Sequence, residues 1–176
     1  RVALAFHVGR AMTYLLPGRY CGLEPEAWLI EQGIQHELGA DLIRMKQPTF
    51  RHEADFTLSG FGRPFDVLLA HSIFSHAAPR QIRRCLAEAK QVMTPAAVFA
   101  ATFVEGPENY AGEEWAAWDH PGFATYTLKR MQEFAAEQGL VCTPVEWPHP
   151  EQQRWLIFTH PGQAPAFPSS GEGLRQ

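Results

Sequence analysis

Cysteine is scarce. Cys21, Cys85 and Cys142 are the three in 176 residues, they lie far apart, and no CxxC pair occurs. That excludes a disulfide framework and a cysteine-based metal knuckle. Each thiol is expected to be a small buried apolar group, which suits a reducing, cytoplasmic setting. Long apolar runs are also missing: nothing approaches the roughly 18 residues that cross a bilayer, and no signal peptide is visible. No basic block stands out either. Fifteen Lys and Arg face nineteen Asp and Glu for a net charge of −4, so no electrostatic footprint for nucleic acid or a membrane surface is expected. His71 and His76 are five positions apart with no third ligand at a usable spacing, so no metal is expected. An initiator methionine is absent, and "RVALAFHVGR" opens inside an apolar pattern. The chain is expected to be a fragment whose beginning lies upstream.

The residues present suit one domain, with 45% apolar and 19% charged side chains and a length sufficient for one sizeable core. Leu4, Val8, Ala11 and Leu15 recur at helical spacing, which predicts a helix over 3–16 stopped by Pro17-Gly18. A short strand is predicted over 19–23. A helix follows from Pro25, with Ala27, Ile30, Ile34 and Leu38 inward and Gly39 as its left-handed cap. The stretch 40–48 has no clear period, and "TFRHEADF" reads as an exposed or edge strand.

The middle of the chain is more explicit. "PFDVLLAH" is a continuous apolar run between turn residues, the pattern of a strand buried on both faces. "APRQIRRCLAEAKQVM" is an amphipathic helix with Ile82, Cys85, Leu86, Ala89, Val92 and Met93 on one stripe. "AVFAATFVEG" is a second buried strand. The segment 107–123 is acidic and aromatic without period, "TYTLKRMQEFAAEQGL" is a helix capped by Gly139, and "LVCTPVEW" and "QRWLIFTH" form a hairpin. Residues 161–176, rich in Pro, Gly and Ser, are expected to be a disordered tail beyond a domain of 1–160. Alternating strands and helices imply a mostly parallel sheet wrapped on both faces, with one antiparallel strand added by the hairpin. Ligands of such sheets bind at the carboxyl ends of the strands.

Polar groups stand at three of those ends. Glu24 in "YCGLEPE" can accept hydrogen bonds from both hydroxyls of an adenosine ribose, or be a solvated loop glutamate near a helix start. Asp55-Phe56 in "RHEADF" can hold an adenine by its amine and its face, or be a turn aspartate beside a core ring. His71, Ser72 and His76 crowd the exit of the apolar strand, where histidine serves either structure or chemistry.

Taken in order, "GLEP", "AD", "FDVLLAHSIFSH", the amphipathic helix and "MTPAAVFAATF" resemble the class I S-adenosylmethionine-dependent methyltransferases, over roughly residues 9–158. The resemblance implies an α/β, Rossmann-like sandwich and S-adenosylmethionine as cofactor. It places Glu24 on the ribose, with Gly22 and Pro25 shaping its turn, and Asp55 on the adenine amine with Phe56 beside it. His71 and Ser72 would line the methionine moiety. The segment 107–123 would cap the acceptor with Tyr110, Trp115 and Trp118. Where an acceptor must lose a proton, His71 or His76 would take it. The acceptor is expected to be a small molecule or a protein side chain.

Two departures from the pattern are visible. No glycine-rich turn after a first strand is found, since "HVGR" supplies one glycine inside the helix pattern, and Ala96-Ala97 replaces the usual Gly-Gly pair. The first strand is therefore expected to be missing, leaving two rows of unpaired backbone that destabilise the chain or force the flanking strands together. Two other readings stay open: a methyltransferase fold kept as a non-catalytic binding or scaffold module, and a nicotinamide-dependent enzyme, for which Glu24 would serve equally well.

Overall fold

The apolar runs of the chain assemble side by side in one sheet, as a computed structural model shows; the structure describes residues 2–4, 9–110 and 123–163. The strands are β1 (Val2–Leu4), β2 (Tyr20–Leu23), β3 (Thr49–Arg51), β4 (Phe65–Ala70), β5 (Met93–Glu105), β6 (Thr125–Tyr126), β7 (Val141–Val145) and β8 (Arg154–Thr159). Their order is β3-β2-β1-β4-β5-β8-β7, with β6 beside the end of β5. The pairs from β3 to β5 are parallel, whereas β8 runs antiparallel to both β5 and β7. The helices are α1 (Ala27–Gly33), α2 (Ala40–Lys46), α3 (Pro79–Val92) and α4 (Leu128–Glu137). This is the expected α/β arrangement with its antiparallel hairpin.

The start of the chain departs from expectation. Val2–Leu4 is a strand, not the opening of a helix over 3–16, and only Gly9–Tyr14 is helical there, as a tight 3₁₀ turn. The strand expected to be missing is thus present, at the centre of the sheet. Val2 pairs with Tyr20 on one side and Val67 on the other, and Leu4 with Gly22 and Leu69. The helical reading failed because a short apolar run cannot be told from a buried helical turn by spacing alone. Backbone pairing decides it, since leaving that slot open would orphan two ladders of donors and acceptors. The turn after β1 falls at residues 5–8, outside the described residues, as does the tail from 164 onward.

One face of the sheet carries the main core. The stripe predicted on α3 is buried throughout, Met93 included, and Met131, Phe134 and Ala135 of α4 join it over Phe65, Phe99, Phe103 and Phe158. Pro79 stands in the first turn of α3, where Gln81 Oε1 accepts from the Ala78 amide at 2.8 Å. Thr127 caps α4 by accepting from the Arg130 amide at 3.1 Å.

The other face is thinner. No residue of α1 or α2 is fully buried, and Trp28 and Met45 remain 53% and 56% exposed. Consequently β4 is not buried on both faces as predicted: Phe65, Leu68 and Ala70 are, but Val67 and Leu69 are only partly covered and Asp66 is exposed. Burial holds the Cys85 thiol far above its usual range and pushes Cys142 up to about 12, so both are neutral packing groups. No helix among the described residues is long and apolar enough to cross a membrane.

Gly22 sits in mid-strand between Leu4 and Phe50, not in a turn. A Cβ there would come within 2.7 Å of the Phe50 ring. Gly22→Ala is expected to lower stability in urea unfolding by about 1–3 kcal/mol, the usual effect of overpacking, and Phe50→Leu in the same chain is expected to recover most of it. A neutral Gly22→Ala would show that Phe50 swings aside.

Candidate active site

In an open parallel sheet a crevice forms where neighbouring strands send their connections to opposite sides, and here that point lies between β1 and β4. The described residues form a cleft at the carboxyl ends of the strands beside it. Leu23, Glu24 and Pro25 come from the end of β2. Glu53, Ala54, Phe56 and Leu58 come from the loop after β3, while Ala70 and Ile73 flank the exit of β4, with Phe99 and Cys85 behind. Most of this lining is apolar. The polar groups on it are the two carboxylates, and Glu53 is already paired with Arg51 at 2.7 Å.

Glu24 is the carboxylate available to a ligand. Its Oε1 accepts from the Glu26 amide at 3.0 Å, and its backbone amide donates to the Arg51 carbonyl at 3.1 Å, which ties the end of β2 to β3. Desolvation raises its pKa above the ordinary carboxyl value, while the Glu26 amide pulls the other way. A half-buried carboxylate beside an apolar cleft can accept from a vicinal diol while the walls take a flat ring.

The other predicted residues divide. Phe56 and Pro25 line the cleft with Glu24. Asp55 does not: it accepts from the Thr57 hydroxyl, faces Arg84 at 3.9 Å and is well exposed, and the Thr57 bond holds its carboxyl below the usual range. Gly22 lies beneath, packed on Phe50. His71 leaves β4 in another direction, its ring stacked on that of His149 at 4.6 Å and tilted against Trp155 at 5.5 Å. Ser72 donates its amide to Thr102 Oγ1 at 2.7 Å, and its hydroxyl accepts from Gln153 Nε2 at 3.1 Å.

The His76 ring lies 5.1 Å from that of Phe123. Tyr110 packs on the core against Tyr126 at 6.4 Å, and its amide donates to Thr125. Trp115 and Trp118 lie outside the described residues.

A second, polar constellation therefore adjoins the apolar cleft. It consists of Thr102 near the end of β5 and Gln153 and His149 from the β7–β8 loop, none of them singled out from the sequence. Thr102 Oγ1 donates to Gln153 Oε1 at 2.8 Å, and both side chains are buried. The one signal was "WPHPEQQ", a histidine between prolines in a loop that antiparallel pairing returns to the ligand edge. Three of the four non-glycine residues with positive φ among those described, Phe56, Ser72 and Gln152, stand at this edge. Such conformations cost about 1–3 kcal/mol each and collect at functional sites.

No protein-family model matches the sequence, and neither does any curated protein. Among solved structures, the fold is similar to magnesium protoporphyrin IX methyltransferase from Synechocystis PCC 6803 with bound S-adenosylmethionine. The TM-score is 0.60 at 12% identity, over 90% of this chain and 69% of that one. It is similar to the glycopeptide N-methyltransferase MtfA complexed with S-adenosylhomocysteine, with a TM-score of 0.66 at 9% identity over 91% and 82% of the two chains. It is also similar to a protein described as a pericyclic reaction enzyme, with a TM-score of 0.61 at 16% identity, of which this chain spans 42%. The fold is that of the class I S-adenosylmethionine-dependent methyltransferases.

Proposed function

We propose that this chain binds S-adenosylmethionine in the apolar cleft and serves methyl transfer to a small or medium-sized acceptor. The observation that carries this reading is the cleft at the topological switch point, with apolar walls and the half-buried Glu24 carboxylate at the end of β2. The residues fit the cofactor's adenosine end. Glu24 accepts from the ribose hydroxyls, and bonds to a charged acceptor are worth about 1.5–3 kcal/mol each. Phe56, Ala54 and Leu23 supply apolar surface for the base. Asp55 takes no part, because its carboxylate is engaged by Thr57 and turned toward Arg84.

When bound, the cofactor supplies a methyl group on a positively charged sulfur with a neutral thioether as leaving group. The work left to the protein is alignment, which lowers a barrier by about 7–11 kcal/mol in well-oriented cases. His71, at the exit of the strand whose Ala70 lines the cleft, receives the proton of an acceptor that has one to lose. His76 is the second candidate for that role. The segment 107–123, with Tyr110, Trp115 and Trp118, is the proposed acceptor cover. Neutral buried thiols suit a cytoplasmic protein. The pericyclic neighbour motivates a second reading, in which the cleft binds the cofactor but the chemistry differs.

Calorimetric titration with S-adenosylmethionine tests the first claim. Glu24→Ala is expected to weaken binding about 10- to 100-fold, the loss of one or two charge-assisted bonds, while Asp55→Ala leaves affinity unchanged. Equal affinities for wild type and Glu24→Ala would remove Glu24 from the site.

Glu24 also carries a stability signature. With its folded pKa above the unfolded value, the folded chain holds that proton more tightly; the stabilisation is full below the unfolded pKa and is lost as pH rises through the folded one. Glu24→Gln is therefore expected to melt higher than wild type at about pH 7, with the gain gone near about pH 4, below the unfolded glutamate pKa. A lower melting temperature at neutral pH would refute it.

A further inference from the structure

His149 stands in the β7–β8 loop with both faces of its chemistry constrained. Its Nδ1 accepts from the backbone amides of Glu151 at 3.1 Å and Gln153 at 3.4 Å. A nitrogen that accepts two N–H bonds cannot carry a proton, so the neutral ring keeps its hydrogen on Nε2. That Nε2 is buried and has no hydrogen-bond partner among the described residues. Adding a second proton would require displacing both amides, and burial disfavours the cation further, with the Glu151 charge opposing it. His149 is held neutral and cannot act as a base at either nitrogen.

The His71 ring lies against this neutral ring at 4.6 Å and 25°. Trp155 adds a third ring, 5.5 Å from His71, and its indole donates to the Pro148 carbonyl at 3.3 Å, which fixes the loop from the β8 side. Ser72 Oγ stands 3.4 Å from His71 Nδ1, Thr102 and Gln153 bond to Ser72 beside it, and Gln153 Nε2 donates to the Glu151 carboxylate at 3.2 Å. Two imidazoles at stacking distance cannot both take protons without repulsion. Fixing one as neutral removes that repulsion from the other and gives its cation an aromatic face.

We propose that His149 is a positioning residue for proton transfer at His71, pinned neutral by its loop amides so that the stacked His71 ring alone takes a proton from the acceptor. This rests on the methyl-transfer reading of the adjoining cleft and names its substrate class: an acceptor whose nucleophile bears a proton, such as a hydroxyl or an ammonium group. The proton passes to a ring nitrogen of His71, and the freed lone pair forms the new bond to the methyl carbon. The carbon–sulfur bond breaks with its electron pair on sulfur. The sulfonium charge is thereby cancelled and the proton's charge appears on His71.

The test is a ¹⁵N-resolved histidine titration of the whole chain between about pH 5 and about pH 8, where imidazoles change charge. His71→Gln and His149→Asn assign the two rings. His149 is expected to show the Nε2–H tautomer throughout and His71 to titrate alone. Asn keeps an acceptor for the two loop amides but removes the stacked ring, so His149→Asn is expected to retain the wild-type melting temperature. The His71 midpoint in that variant should fall by about half a pH unit, the scale of a cation–ring contact. His149→Phe, which keeps a ring and loses the acceptor, is expected to hold the midpoint while melting lower. Titration of His149 itself, or a His71 midpoint unmoved in His149→Asn, would overturn the proposal. Failure to bind S-adenosylmethionine in calorimetry would end the reading of the cleft and leave these titrations unchanged, so the two failures are told apart.

Discussion

Two rows of backbone hydrogen bonds on a three-residue strand decide the geometry of the whole ligand edge. β1 pairs in parallel with β2 on one side and β4 on the other, and the chain winds outward from it in both directions. Parallel neighbours lie about 4.8 Å apart, so β2 and β4, with β1 between them, are held about 10 Å apart. Glu24 follows one of these strands and Ala70 ends the other, so the lining of the apolar cleft comes from both sides of β1. Without β1 the two edges would either close, which abolishes the crevice, or stand unpaired, which is too costly to bury. The site exists because a short segment completes a ladder, not because any side chain is shaped for it.

Across that edge the chemistry separates by strand. Toward β2 and β3 the surfaces are apolar, with one carboxylate still able to take hydrogen-bond donors. Toward β5 and β8 they are polar, with Ser72, Thr102 and Gln153 forming a closed loop of hydrogen bonds. The two surfaces cannot overlap, because an apolar wall raises the cost of any unpaired polar group placed in it. The hairpin solves this by entering antiparallel, so that the loop leading into β8 arrives at the same end as the exit of β4.

Much of the framework was legible because its signals are local. α3 and α4 announce themselves by an apolar stripe between recognisable caps, and β4, β5 and the hairpin by uninterrupted β-prone runs between turns. What escaped depends on distant partners. β1 is too short to show a period, and β6 is two residues held by β5 and by the Tyr126 hydroxyl donating to Ala77. α2 buries no residue fully, so its stripe carries little contrast. Of the residues that line the cleft, Glu24, Pro25 and Phe56 had been singled out from the sequence by their place after a strand. Asp55 missed the cleft because β3 ends at Arg51 and the loop after it brings the carboxylate to Thr57 and Arg84. His149 could not be found, since its meaning arises only from contact with a residue far away in sequence.

The exit of β4 shows how one strained residue divides a strand end between two surfaces. In a continuing strand, His71 and Ile73 would share a face, because side chains alternate with a period of two. Instead Ile73 lines the cleft and His71 meets the hairpin. The break falls at Ser72, whose φ of 55° is the left-handed conformation that a non-glycine residue adopts at a cost. That cost is offset by the bonds the turn makes: the Ser72 amide donates to Thr102, its hydroxyl accepts from Gln153, and its carbonyl accepts from Ser75 at 3.1 Å. Glycine would adopt the backbone more easily but would lose the hydroxyl that links the strand exit to the β7–β8 loop. A serine there is the compromise that keeps the imidazole pair and the cleft side by side.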